Sequence, residues 1–396
     1  MFCAASWEED EGKKPDASAR RGDVVYVMRW DYSKKYLATA GHNAVVHVWR
    51  RAAPVSGLVF EREPVDSFVG HVDDVISLDW SVTGHLVSAS LDHSAIAWAT
   101  QDSCQEYSKN KDSESRMIAK MEHPDVVTAA VWHQTSVQHT QVITACVDYA
   151  LRVWNVDIEN NKAELVRCVQ SLFQSTCLSL TPDMSSLVAG TADGQCVFYD
   201  AKTLEESKKW PIAGFRGKRS REEKRKVTGM TVREDSPELL LTSNDGRIYL
   251  FDLSTGKLCF KLKGFLINRL IRLAASFSQD SSAVICPSED RYVCFWNTTQ
   301  TISTKEVPLP SSSRSLEADK FRGLLHFNHS LCDKMLCFFE ISSFSICLCF
   351  YDTASTKEVA CAVFVPRAYA GDNDTRFFVV GDARGNLTVF ENPLVQ

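Results

Sequence analysis

The 396-residue chain contains 14 cysteines but no pair at Cys-x-x-Cys spacing. That lack disfavours a disulfide scaffold and a paired-cysteine zinc site, and reduced thiols in an intracellular compartment are expected. Long apolar runs are missing too. The greasiest stretch, MLCFFEISSFSICLCF at 335–350, is 16 residues long and is broken by Glu340 and by serines. A spanning helix needs about 20 mostly apolar residues, so two buried strands are expected and no transmembrane segment. The opening MFCAASWEEDEGKKPD turns acidic after seven residues, which leaves no signal-peptide core. A strong excess of positive charge is also absent. The net charge of −6 argues against a protein held to nucleic acid by its overall field.

Catalytic signatures are equally scarce. Ser90, Asp92, His93 and Ser94 in SASLDHSAIAW contain the side chains of a hydrolase triad, yet no Gly-x-Ser-x-Gly elbow occurs. GFRGKRS misses the phosphate-loop pattern. His326 and His329 fall short of the three or four ligands most metal sites need. Cys332, Cys337, Cys347 and Cys349 read as buried apolar residues. No cofactor, metal or catalytic residue is therefore expected.

What the chain does have is an internal repeat. Asp92 precedes Trp98 by six residues, and the offset recurs at Asp148–Trp154, Asp193–Tyr199, Asp245–Phe251 and Asp290–Trp296. Asn43–Trp49 fits with one conservative change and Arg384–Phe390 with a worse one. Each unit reads as an apolar strand, a short turn and a second strand, as in YLATAG then AVVHVW. An Asp at the turn accepts backbone N–H bonds and tolerates turn dihedrals. A further strand precedes each pair and ends at Trp30, Trp80, Trp132, Phe277 or Phe364.

GHVDDVISLDWSVTGHLVSASLDHSAIAW resembles a WD repeat: Gly70–His71, then the turn Asp92, then Trp98. The resemblance implies an all-β β-propeller of four-stranded blades around a channel. Seven blades are expected, with eight as the alternative. It also implies a buried hydrogen-bonded set in each blade: His71, Ser88 or Ser90, Asp92 and Trp98 in one, and His123, Thr144, Asp148 and Trp154 in the next. On that reading the Ser/His/Asp stretch is architecture, with His93 and Ser94 facing solvent after the bend.

The expected organisation is a short disordered tail at 1–21 followed by a propeller over 22–396. A polar loop spans 101–116, a basic loop spans 214–226, and an irregular Cys/Phe-rich segment occupies 300–357. That last segment reads as an extra blade, an insertion or a gene-model artefact. FCAASW is the candidate closing strand. KVTGMTV, LLLTSNDGRIYLF and LVAGTADGQCVFYD are similar to one branch of WD-repeat proteins, which includes a Rab-GTPase effector of recycling endosomes. In that effector the GTPase-binding segment lies ahead of the propeller, where this chain offers some 20 residues, so Rab binding has no residue here to carry it.

FRGKRSREEKRK is the most informative exposed feature. Arg216, Lys218, Arg219, Arg221, Lys224, Arg225 and Lys226 face only Glu222 and Glu223. They are the candidate partner-binding residues, for an acidic protein or anionic lipid headgroups, with a solvated insertion as the bland alternative. The expected function is a non-catalytic scaffold, cytoplasmic and peripheral to endomembranes, acting as a trafficking adaptor. The alternative is a nucleus-associated WD-repeat subunit that uses the basic loop for import or nucleic acid.

Overall fold

The structure is a computed structural model. It describes residues 24–52, 60–61, 63–100, 116–136, 139–212, 225–233, 236–265, 267, 273–278, 283–289, 292–298, 335–337, 349–352, 359–365, 377–382 and 387–391. Its regular elements are strands, and all the pairing is antiparallel, in seven sheets. Five sheets have four strands, one has five and one has three.

The second sheet illustrates how the sequence builds one. Val75–Trp80, Leu86–Ser90, Ser94–Trp98 and Met117–Glu122 pair in chain order. Its two middle strands are buried along their whole length, as β-branched and small residues between two packed faces should be. The turn between them carries Asp92, whose Oδ1 accepts the Ser94 N–H at 2.9 Å. His93 then adopts a left-handed φ of 66°. The left-handed residue recurs: Ala44, Tyr149, Gly194 and Gly246 each follow the turn Asn or Asp and have positive φ. Asn43 and Asp148 accept the N–H two residues on at 3.1 and 3.0 Å, whereas in the fourth sheet Thr191 Oγ1 takes that of Gln195 at 2.9 Å. A side chain that accepts the N–H two residues on closes the bend that a left-handed residue opens.

The sheets pack face to face in a cycle. An apolar cluster fills each junction, from Phe68, Leu78, Trp80 and Trp98 between the first and second to Ile285, Phe295, Phe364 and Phe378 between the sixth and seventh. The first strand of each sheet sits innermost, where edge groups would go unpaired. Side chains patch these edges. Thr128, Thr176 and Thr228 donate their hydroxyls to the carbonyls of Ser175, Val227 and Leu273 on the following sheet, at 2.8, 2.7 and 2.9 Å. The last sheet returns to the first: Trp30 Nε1 donates to the Phe364 carbonyl at 2.9 Å, and Cys361 Sγ lies 3.2 Å from the Val25 carbonyl. The architecture is an all-β propeller.

The Cys/Phe-rich region behaves differently from an extra blade. Cys349–Asp352 pairs with Tyr292–Asn297, and Met335–Cys337 pairs with Cys349–Asp352, so both strands enlarge the sixth sheet. Among the described residues no eighth sheet forms. FCAASW, residues 1–21 and the loop at 101–115 lie outside the described residues.

Candidate interaction surface and the hydrogen-bond sets beneath it

In the second sheet, Trp98 Nε1 donates to Ser88 Oγ at 2.8 Å, and Ser88 Oγ lies 2.7 Å from His71 Nε2. His71 Nδ1 lies 2.8 Å from Asp92 Oδ2. A carboxylate only accepts, so the relay runs from the indole N–H to the hydroxyl, from the hydroxyl to Nε2, and from Nδ1–H to Asp92. Burial alone would raise the Asp92 carboxyl. The bonds from His71 and from Ser94, with a further one from the Val72 N–H, outweigh it and hold the group well below the usual carboxylate range.

Two residues stand elsewhere than expected. Ser88, not Ser90, joins the indole and the imidazole; Ser90 Oγ donates to the Asp73 carbonyl at 3.0 Å. Ser94 is buried and donates to Asp92 Oδ1 at 2.6 Å, whereas His93 is exposed. A signal for Ser88 was present in the sequence. The hydroxyl bonded to the indole stands ten residues before its Trp at Thr39–Trp49, Ser88–Trp98 and Thr144–Trp154 alike.

Ser88, His71 and Asp92 share the connectivity of a hydrolytic triad. The side chains of His71 and Asp92 are 0% and 1% exposed, and Ser88 is fully buried beneath Trp98. Substrate has no route to this serine.

The third sheet repeats the relay only in part. Trp154 Nε1 donates to Thr144 Oγ1 at 3.0 Å, and Thr144 lies 2.8 Å from His123 Nε2. His123 Nδ1 then turns to the Met121 carbonyl at 3.0 Å. Asp148 is taken by Arg152, whose two terminal nitrogens reach it at 3.1 and 2.5 Å. Burial opposes ionisation of Asp148, but the Arg152 bonds dominate and bring its carboxyl to about 2. So His123, Thr144 and Trp154 come together, and Asp148 stands apart.

His123 and His85 are both kept neutral. Burial pushes each down to about 4, with Arg152 adding to the effect at His123. An unfolded chain binds these protons near the ordinary value of 6.5 while the folded one does not, so stability falls as pH drops from 6.5 towards 4. Each histidine contributes on the order of 3 kcal/mol across that window. Asp79, raised to about 6, works in the opposite sense between its ordinary 3.8 and 6, which leaves a net loss. The denaturant midpoint should therefore be clearly lower at about pH 4.5 than at pH 7, and His85→Gln with His123→Gln should flatten the profile. A wild-type midpoint unchanged over that range would contradict this account.

The Asp92, Asp148, Gly194 and Gly246 turns mark one face of the ring. The basic segment is anchored there at both ends. Ile212 N donates to the Gly194 carbonyl at 3.0 Å, and Lys226 N donates to Asn244 Oδ1 at 2.9 Å. Gly194 lies directly under the Arg225 carbonyl, where a Cβ would not fit. Arg225 Nε and Arg247 Nη1 both approach Asp245 Oδ2, at 3.4 and 3.1 Å. Lys261 and Lys263 complete the cluster. Burial lowers the affinity of both for their protons, and Arg247 lowers it further; Arg225 acts on Lys261 as well. Arg216, Lys218, Arg219, Arg221 and Lys224 lie outside the described residues.

Val72 (84% exposed), Leu172 (79%) and Tyr149 sit at turns and sheet connections of the same face, on the side away from this cluster. No described helix is long and apolar enough to cross a membrane. The described residues contain no group of three or more His, Cys, Asp or Glu placed to hold a metal ion.

The WD domain, G-beta repeat family model matches residues 62–98, the span that holds the complete His71–Ser88–Asp92–Trp98 relay. The chain carries a WD repeat and is similar to WD-repeat β-propeller proteins. It is 30% identical to WD repeat-containing protein 44 of Xenopus laevis over 245 residues, which is 62% of this chain and 25% of that protein. An uncharacterized WD repeat-containing protein of Schizosaccharomyces pombe is 25% identical over 302 residues, 69% of this chain and 48% of its own length. Jouberin of Rattus norvegicus is 24% identical over 284 residues, covering 65% and 24%. This WD-repeat chain thus spans between a quarter and a half of the curated relatives it matches.

Proposed function

We propose that this WD-repeat chain is a non-catalytic scaffold of seven blades that holds protein partners on its turn face. The basic segment between the fourth and fifth sheets is its principal contact. The carrying observation is the cation cluster at Asp245: Arg225, Arg247, Lys261 and Lys263 surround one carboxylate, and both lysines feel the excess positive charge. Five further Lys or Arg residues occur between Arg216 and Lys224. Such a field favours an acidic or membrane-associated protein partner. With the resemblance to the endosomal branch, it supports an adaptor in membrane traffic, cytoplasmic and peripheral to endomembranes. The seven-blade reading is supported by seven sheets joined in a cycle, of which six have four or more strands.

The test is crosslinking affinity capture from the native cell with the intact chain and with a variant neutralised at Arg216, Lys218, Arg219, Arg221 and Lys224. The variant should lose a defined set of partners at an unchanged melting temperature. Arg225→Gln alone should keep them, because Arg225 is already engaged with Asp245. Identical captures from both chains would overturn the reading. Selective loss of RNA or DNA would replace it with the nucleus-associated alternative.

A further inference from the structure

The innermost strands run from the turn face to the opposite end of the ring, and there they surround a cavity of about 180 Å³. Five consecutive sheets contribute to its lining. The residues that precede Trp30, Trp80, Trp132 and Leu180 on these strands form one level of it. They are Arg29 in the first sheet, Asp79 in the second, Val131 in the third and Ser179 in the fourth. Trp30, Trp80 and Trp132 also belong to its lining.

In the fifth sheet the side chain at this level is occupied, with Thr231 donating to the Ala275 carbonyl at 2.8 Å. Asp79 Oδ2 accepts the Trp132 N–H at 2.9 Å, and the Trp80 N–H also supports the carboxylate, so its partners among the described residues are backbone groups and no side chain. The Arg29 guanidinium makes no hydrogen bond or ion pair to any described residue, although its charge is felt at Asp79. Arg233, also in the lining, is held by Glu238 at 2.6 Å. Burial raises the Asp79 carboxyl to about 6 even with Arg29 pulling it down, so this acid is short of compensating charge. The cavity therefore presents an uncommitted guanidinium beside an undercompensated carboxylate, within a partly apolar lining.

We propose that this cavity binds a free α-amino acid of the apolar class, its carboxylate on Arg29, its ammonium on Asp79 and its side chain against the apolar part of the lining. A simple anion would meet Asp79, and a simple cation would meet Arg29 and Arg233. A ligand carrying the reverse charge pair satisfies both groups at once. Arg suits a planar carboxylate through its forked donors, and the lining residues Val131, Leu180, Pro182 and Val232 suit an apolar body beside it. The volume lies below the roughly 300–1,000 Å³ of drug-sized ligand sites, which limits the occupant to something the size of one amino acid.

Titration of the full chain with L-leucine and L-phenylalanine, followed by ligand-observed NMR and calorimetry, tests this. Saturable binding is expected, with N-acetyl-leucine and leucinamide each at least about tenfold weaker. Arg29→Gln should bring leucine down to the level of leucinamide. Asp79→Asn, which keeps an oxygen for the Trp132 N–H, should bring it down to the level of N-acetyl-leucine. No saturable response to either amino acid at millimolar concentration would overturn the proposal. So would N-acetyl-leucine binding as tightly as leucine, the mark of a plain anion site, or leucinamide doing so, the mark of a cation site. These comparisons on the wild-type chain stand even if a variant fails to fold.

Discussion

Asp92→Ala is expected to destabilise the fold by on the order of 3–5 kcal/mol, and Asp148→Ala, at the same repeat position, by roughly 1 kcal/mol. The difference follows from what each carboxylate holds. Asp92 accepts from His71, the Val72 N–H, and both the N–H and hydroxyl of Ser94, in a site where its side chain is 1% exposed. Truncation leaves His71 Nδ1–H and Ser94 Oγ–H facing an empty buried space, and unmet buried donors cost their full desolvation. Asp148 instead pairs with Arg152, with side chains 23% and 10% exposed. His123 does not depend on it, because the Met121 carbonyl already takes its Nδ1–H. Removing Asp148 frees a guanidinium that can turn towards water. Denaturant unfolding of both variants measures the contrast. Equal losses would mean that the second-sheet relay is not the cooperative unit described here.

The repeat offset from turn Asp to aromatic made the sheets legible, because one physical requirement recurs at the first three turns: an acceptor side chain followed by a left-handed residue. The resemblance left the choice between Ser88 and Ser90 open, although the ten-residue offset of Ser88 from Trp98, shared by Thr39–Trp49 and Thr144–Trp154, carried a signal for it. The departure at Asp148 was not legible. It depends on Arg152, four residues further along, at a position where the second sheet has Ile96. Sequence shows the arginine, but nothing local says that it will outbid His123 for the carboxylate. The assignment of Met335–Cys337 and Cys349–Asp352 to the sixth sheet was also hidden, because strand partners separated by a long insertion leave no periodic trace. Nor could the juxtaposition of Arg29 and Asp79 be read in advance. They lie 50 residues apart in the chain and meet only because the same strand position recurs on neighbouring sheets.

Gly41→Ala should cost more than about 3 kcal/mol, beyond the usual range for adding one methyl group. Gly246→Ala should cost about 1 kcal/mol. A Cβ on Gly41 would overlap the Val24 carbonyl and lie 2.9 Å from the Tyr26 nitrogen. Both are backbone atoms, and no rotamer change can clear them. The same Val24 carbonyl accepts the His42 N–H at 2.8 Å, so relief requires the start of the first strand to move. That strand closes the ring: the Val25 carbonyl is the partner of Cys361 Sγ, and Val25 packs with Cys361, Val365 and Val379 in the junction to the last sheet. A clash at one turn is thereby passed to the contact between the chain's first and last sheets. Gly246 has the opposite problem, with a φ of 70° that disfavours a side chain but nothing closer than the Phe265 carbonyl at 3.4 Å. Its penalty is conformational and local. Denaturant midpoints rank the two variants, and hydrogen exchange locates the damage. Gly41→Ala should accelerate exchange in Val25–Trp30 and Val359–Phe364 together, whereas Gly246→Ala should leave both strands protected. If Gly41→Ala opened only its own turn, the first strand would not be what couples the two ends of the propeller.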